Sequence, residues 1–157
     1  MAQFLGNHQN KLDAKGRVSI PAPFRGALKA ECKDGSSAAG VPLVLRPSHK
    51  YRCIEGWSEK EFAALLKPLD NYAEYSDDHD DLAIALFADA HEVETDKEGR
   101  IVLPSDLTEH AGLTDAVVFM GIGKRFEIWE PAAAARRKAA ARDRSRDLQL
   151  TLRTVAQ

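Results

Sequence analysis

Polar and apolar residues alternate along Arg17-Val18-Ser19-Ile20, and Pro21 ends the run. A period of two predicts a short strand with Val18 and Ile20 inward and Arg17 and Ser19 outward. The polar stretch 7–12 before it reads as its hairpin partner, joined through Asp13-Ala14-Lys15-Gly16. Aspartate at the first turn position can bond the backbone two residues on. Glycine accepts the left-handed conformation that closes such a loop with a bulge. Pro21 to Leu28 predicts a short helical turn with proline at its start. A second hairpin follows, from Leu43-Val44-Leu45 through a turn near Pro47-Ser48 to Tyr51–Trp57.

The pattern recurs. His8 to Pro21 aligns without a gap with His91 to Pro104 at an offset of 83, keeping the histidine, aspartate, glycine, arginine and final proline. Ile54-Glu55-Gly56-Trp57 aligns with Phe126-Glu127-Ile128-Trp129 at an offset of 72, and the eleven-residue difference is assigned to extra loop around residues 33–40. The second copy supplies a strand at Val117–Met120, a turn at Gly121–Gly123 and a strand at Phe126–Trp129. Between the copies, Ser58-Glu59-Lys60-Glu61 is a capping box ahead of Phe62, Leu65, Leu66 and Leu69, which share one helical face. Ser76 precedes Asp77-Asp78-His79-Asp80-Asp81, whose negative charge suits a helix N-terminus, and the apolar run Leu82–Phe87 follows. The Ala- and Arg-rich tail from Pro131 favours helix but has little apolar periodicity before Leu148, Leu150 and Leu152, so a solvated helix dispensable for the fold is expected.

The chain thus divides into a first module at 7–61, a helical linker at 62–89, a second module at 90–133 and a basic helical tail at 134–157. A module of roughly 50 residues with four short strands buries too little surface to stand alone. Pairing of the copies, or exchange of hairpins between them, solves this, and open edges then invite further subunits.

Of the 157 residues, 44% are apolar and 29% charged, which excludes general disorder. No apolar run is long enough for a membrane helix, and the N-terminus lacks the order of a signal peptide. Cys32 and Cys53 lack CxxC spacing, so neither a disulfide framework nor a zinc site is expected, and a reduced cytoplasm is the natural setting. The net charge of −2 conceals segregation: residues 1–52 carry +6, residues 53–123 carry −13 and residues 124–157 carry +5. A local basic surface of this kind is an electrostatic footprint for nucleic acid.

Leu12-Asp13-x-x-Gly16-Arg17-x-x-Ile20-Pro21, its second copy at Asp96 to Pro104, and Phe4-x-Gly6 together resemble the MraZ family over about residues 4–130. The resemblance implies a mixed, mainly β fold: a duplicated swapped-hairpin β-barrel of the SpoVT-AbrB type, with two linking helices and a helical C-terminal tail. It implies a transcriptional regulator, a repressor, that forms ring-like homo-oligomers. Its partner would be double-stranded DNA, at short promoter-proximal repeats upstream of its own division and cell-wall operon, on the nucleoid. Neither cofactor nor metal is implied.

Within that reading, Arg17 is the expected base reader, with Lys11, Lys15 and Arg25 sharing its surface. Asp13, Gly16, Asp96 and Gly99 are expected to set the turns, since acids repel phosphate. Arg100 is expected to be structural, because Lys11, Lys15, Gln9 and Arg25 become Glu94, Glu98, Glu92 and Thr108 in the second copy. His8 and His91 occupy matched strand positions and are expected to pack or hydrogen-bond alike. Trp57 and Trp129 are expected to pack, and the tail arginines to add nonspecific phosphate contacts or stay solvated. An antitoxin-like interaction module using the acidic middle is the alternative, and a small hydrolase using His79 or His91 is a third. No P-loop, GxGxxG, nucleophile elbow or zinc spacing occurs, so no enzyme is expected.

Overall fold

A computed structural model describes residues 3–32 and 40–148. The first copy forms β1 (Asn7–Lys11), β2 (Arg17–Ser19), α1 (Ala22–Ala30), β3 (Pro42–Pro47) and β4 (Ile54–Trp57). The connection carries α2 (Glu59–Ala63) and α3 (Asp77–Ala83). The second copy forms β5 (His91–Glu94), β6 (Arg100–Val102), α4 (Ser105–Ala111), β7 (Ala116–Gly121) and β8 (Phe126–Trp129), and α5 (Pro131–Leu148) follows.

Every strand ladder is antiparallel, and the copies pair with each other rather than folding apart. Six strands form one sheet in the order β1-β7-β8-β4-β3-β5, so the outer strands β1 and β5 each lie against the other copy's second hairpin. Strands β2 and β6 form a separate two-stranded ribbon. In that ribbon Val18 faces Ile101, its own repeat counterpart, while Arg17 faces Val102 and Ser19 faces Arg100. Strands β4 and β8 repeat the arrangement, with Glu55 opposite Glu127, Ile54 opposite Ile128 and Gly56 opposite Phe126. Both pairings place a residue against its own equivalent, which defines a pseudo-two-fold axis. Matched backbone bonds lock the ribbon to both turns: Ile20 N–H donates to the Gly99 carbonyl (3.0 Å) and Leu103 N–H to the Gly16 carbonyl (2.8 Å). The six-stranded sheet has two ends, at β1 and β5, so these ladders do not close a barrel.

Both copies feed one core. Val18, Ile20, Phe24 and Leu28 from the first pack with Ile101, Leu103, Leu107, Phe119, Phe126 and Ile128 from the second. Phe24 lies edge-on to Phe4 at 5.3 Å and against Phe126 at 5.3 Å between ring centres. Each such side chain contributes about 1.5–3 kcal/mol on burial. Neither copy supplies enough of them alone.

The repeat offset is 83 at the first hairpins, 74 between β3 and β7, and 72 between β4 and β8. Nine of the eleven extra residues therefore precede β3, and two lie in the β3–β4 turn rather than all in the earlier loop. Residues 33–39 of that loop, and Leu150 and Leu152 of the tail, lie outside the described residues.

The linking helices depart from the simple amphipathic pattern. Ser58 caps α2 by accepting from the Glu61 N–H, but α-helix gives way at Ala64–Asn71 to a tighter 3₁₀ turn containing Pro68. Proline removes an N–H and crowds the preceding turn. Only Leu69 of the expected face is buried, while Leu66 is exposed. Ser76 caps α3 in the same way, and a wider π turn at Ile84–Ala88 buries Leu86 but leaves Ile84 exposed.

The tail is not wholly solvated. Glu130 accepts from the N–H groups of Ala132 and Ala133, which hold its carboxyl below the usual range and cap the start of α5. Ala134 is buried against Trp129 and Cys53, and Arg137 stacks 4.5 Å above the Tyr51 ring. The first turns of α5 thus cover the sheet face opposite the main core.

Gly56 is required by close approach: a β-carbon there would stand 2.2 Å from Cζ of Phe126. Gly56→Ala should cost about 1–3 kcal/mol or more through overpacking at the axis. Gly26→Ala in α1, where a β-carbon meets nothing within 4 Å, should be neutral or stabilise by about 0.5–1 kcal/mol. Thermal denaturation of the two variants checks the contrast, and a Gly56→Ala protein as stable as Gly26→Ala would contradict it.

Candidate nucleic-acid interface

The two hairpin turns are built by one local device. Asp13 Oδ1 accepts from the backbone N–H of Arg17 (2.8 Å) and of Lys15 (2.9 Å), and its Oδ2 accepts from Arg17 Nε (2.7 Å). Gly16 sits at φ +80° to complete the turn. The second copy repeats this: Asp96 accepts from the N–H of Glu98 (2.8 Å) and Arg100 (2.9 Å) and from Arg100 Nε (3.0 Å), with Gly99 at φ +80°. The backbone bond from Arg17 foremost, opposed in part by desolvation, lowers the Asp13 carboxyl below its ordinary value. The Arg100 backbone bond foremost does the same for Asp96.

These turns present a shared outer surface. Val18 and Ile101 point into the core, so Arg17, Ser19, Arg100 and Val102 face outward from the ribbon. Lys11 and Lys15 are exposed beside it on the first hairpin. Arg25 is half-buried. One of its Nη groups donates to the Ile20 carbonyl, and its side chain fills the space where a Gly99 β-carbon would stand. Arg25 of the first copy therefore packs beneath the turn of the second.

Geometry is symmetric here but charge is not. Arg17 bonds Asp13 through Nε, and no hydrogen bond among the described residues occupies its Nη groups. Arg100 is held by Asp96 through Nε and also by Glu98 through Nη2 at 3.1 Å. Asp96 foremost, then Glu98 and Asp13, raise the Arg100 pKa against the desolvation that lowers it. Exposed Glu92, Glu94 and Glu98 line the second hairpin. Such surface pairs add little stability, but they do occupy the guanidinium.

The remaining expected residues fall elsewhere. His91 Nε2 lies 3.0 Å from Asp106 Oδ2, whereas His8 is edge-on to Phe24 with a buried Nε2 that has no hydrogen-bond partner. Matched positions thus differ in environment. His79 lies beside Asp80 at the start of α3, and among the described residues no group of three or more His, Cys, Asp or Glu could hold a metal.

Sequence reading missed the buried ionic cluster at the other end of the pseudo-two-fold axis. Glu55 accepts from Arg46 Nη2 (3.0 Å) and Trp57 Nε1 (3.2 Å). Glu127 accepts from Arg125 Nη2 (3.1 Å) and Trp129 Nε1 (2.9 Å). Arg46 also donates to the Ala85 carbonyl at 2.8 Å, tying the linker to the sheet. The repeated Glu-x-Trp was the available signal. Burial foremost, with Glu127 and Glu55 adding to it, pushes the nearby Cys53 thiol strongly up.

A duplicated module whose two Asp-x-x-x-Arg turns meet on one ribbon defines a class of small, two-fold β proteins. No helix among the described residues is long and apolar enough to cross a membrane. A family model described as "MraZ protein, putative antitoxin-like" matches residues 3–82 and 86–143. A protein of Gluconacetobacter diazotrophicus named transcriptional regulator MraZ is 62% identical, across 96% of this chain and 92% of its own length. Proteins of the same name from Gluconobacter oxydans and Xanthobacter autotrophicus are 56% and 35% identical, covering 99% and 100% of this chain and 93% and 96% of their own lengths. The chain belongs to the MraZ family.

The lowered carboxyl pKa values set a pH dependence. Because each folded value lies below the unfolded one, the stabilisation is complete above about pH 4. It is lost as pH falls through the folded values. Carbon-detected NMR titration should give midpoints for Asp13 and Asp96 below the ordinary 3.8. A midpoint at or above that value would remove the turn geometry.

Proposed function

We propose that this protein regulates transcription by sequence-specific binding of double-stranded DNA, with the β2–β6 ribbon seated in the major groove. The observation that carries the reading is the free fork of Arg17. Its Nη groups carry no hydrogen bond among the described residues, and it stands beside exposed Lys11 and Lys15 at one end of a ribbon held from both copies. A forked donor suits guanine O6 and N7, while lysines suit phosphate. Arg25 acts from behind, supporting the second turn. Arg100, clamped by Asp96 and Glu98, is structural.

Strand pairing between the copies supports a swapped-hairpin arrangement of the AbrB type, with modules at 7–61 and 90–133. The setting is the cytoplasm, on the nucleoid, and the action is repression at short repeats upstream of the protein's own operon. Relatives named transcriptional regulator support this class of function. The antitoxin-like reading has its own observation, the exposed Asp77, Asp78, Asp80 and Asp81 of α3, which would face a basic protein partner.

Titration against the DNA immediately upstream of the gene, at fixed salt and with assembly checked, tests the proposal. Arg17→Ala should lose operator preference, on the order of 1–3 kcal/mol per module. Arg100→Ala should stay within a few-fold in affinity and instead lose thermal stability. Equal losses in two assembled variants would mean that both copies read DNA. No preference for that DNA over a scrambled duplex would favour the interaction reading.

The outer strands β1 and β5 each have one unpaired edge among the described strands, and Leu5 and Ile122 are exposed near β1. These edges support a homo-oligomer larger than a dimer, ring-like, in which several modules meet spaced repeats and gain avidity. Light scattering after gel filtration should show such a mass, and a sharp monomer across micromolar concentrations would remove the ring.

A further inference from the structure

Only one apolar side chain stands on the outer face of the ribbon. Val102 is 58% exposed and is the direct ladder partner of Arg17. Its Cγ1 lies over the first hairpin, 3.9 Å from where a β-carbon on Gly16 would be. The repeat equivalent of Val102 is Ser19, which faces Arg100. An apolar neighbour therefore accompanies the arginine with the free fork, and a hydroxyl accompanies the arginine clamped by Asp96 and Glu98.

Directly opposed residues of an antiparallel pair hold their β-carbons about 4.5–5.5 Å apart. Successive base pairs are about 3.4 Å apart along each strand. A side chain opposite Arg17 thus falls over the same or the next base step. The apolar group a major groove offers is the C5 methyl of thymine, which an aliphatic side chain can contact. We infer that Val102 is a specificity-determining residue that reads the methyl of a thymine beside the base contacted by Arg17. The inference rests on the DNA-binding reading above. It makes the reader composite: the arginine comes from the first copy and the methyl contact from the second.

The test uses duplexes of the DNA immediately upstream of the gene, made once with thymine and once with uracil, which pairs alike but lacks the methyl. The unaltered protein should bind the uracil duplex about four-fold more weakly per engaged module, the scale of one buried methyl-sized group. Val102→Ser, which gives the second copy the residue of the first, should bind both duplexes alike and near the weaker value. Ser19→Ala should keep the thymine preference. Comparing the proteins on both duplexes cancels any effect of uracil on duplex shape. Because Val102 is exposed, circular dichroism of Val102→Ser should match the unaltered protein, and Val102→Ala provides a second truncation of the same contact. Full thymine preference in both Val102 variants would overturn the inference, as would equal binding of the two duplexes by the unaltered protein. If the unaltered protein fails to prefer the upstream duplex over a scrambled one, the DNA reading fails as well. If preference and its dependence on Arg17 persist without thymine discrimination, the role of Val102 alone is wrong.

Discussion

Self-pairing of the repeat is the constraint on which the rest depends. Val18 against Ile101 and Glu55 against Glu127 are the registers in which each copy satisfies the backbone groups of the other. Without the second copy, β1, β2 and the outer side of β4 would have no ladder partner, and Phe24 would lose Phe119 and Phe126. Unpaired buried amides and a halved core are each costly. The same registers bring Arg17 and Arg100 onto one ribbon face. Assembly of the fold and assembly of the surface are a single event.

Burial at the axis is bought with charge. Glu55 and Glu127 are adjacent and buried, and each is satisfied by an arginine and an indole N–H. Removing one partner from such a cluster leaves an uncompensated charge, typically at 3–5 kcal/mol. A one-residue slip of β4 against β8 would turn these carboxylates into the Phe126 core. The cluster therefore acts against wrong registers, and its Arg46 bond to Ala85 fixes the linker over the sheet.

Backbone symmetry and side-chain asymmetry serve different ends. The two turns match bond for bond, from the aspartate carboxylate to the glycine at positive φ. Yet Glu98 stands where Lys15 does, so one arginine is doubly held and the other keeps its fork. Duplication within a single chain permits this divergence, which two identical subunits could not have. One half carries a basic turn while the other carries an acidic one.

Much of this was legible along the chain. The Asp-Gly-Arg turn is closed by bonds two and four residues apart, and inward Val18 and Ile101 follow from a period of two, so both were readable locally. The offset itself revealed the duplication. What sequence alone could not decide was any contact between copies about eighty positions apart. Arg25 filling the space beside Gly99, Val102 facing Arg17 and the Glu55–Glu127 juxtaposition all depend on strand register. Pro68 was visible and gives a local reason for the 3₁₀ turn, but the burial of Leu69 and exposure of Leu66 depended on packing. Sequence determined the turns and the repeat because their bonds are local. The tertiary structure decided which residue of the other copy faces each arginine across the ribbon, because that depends on strands that folding brings together.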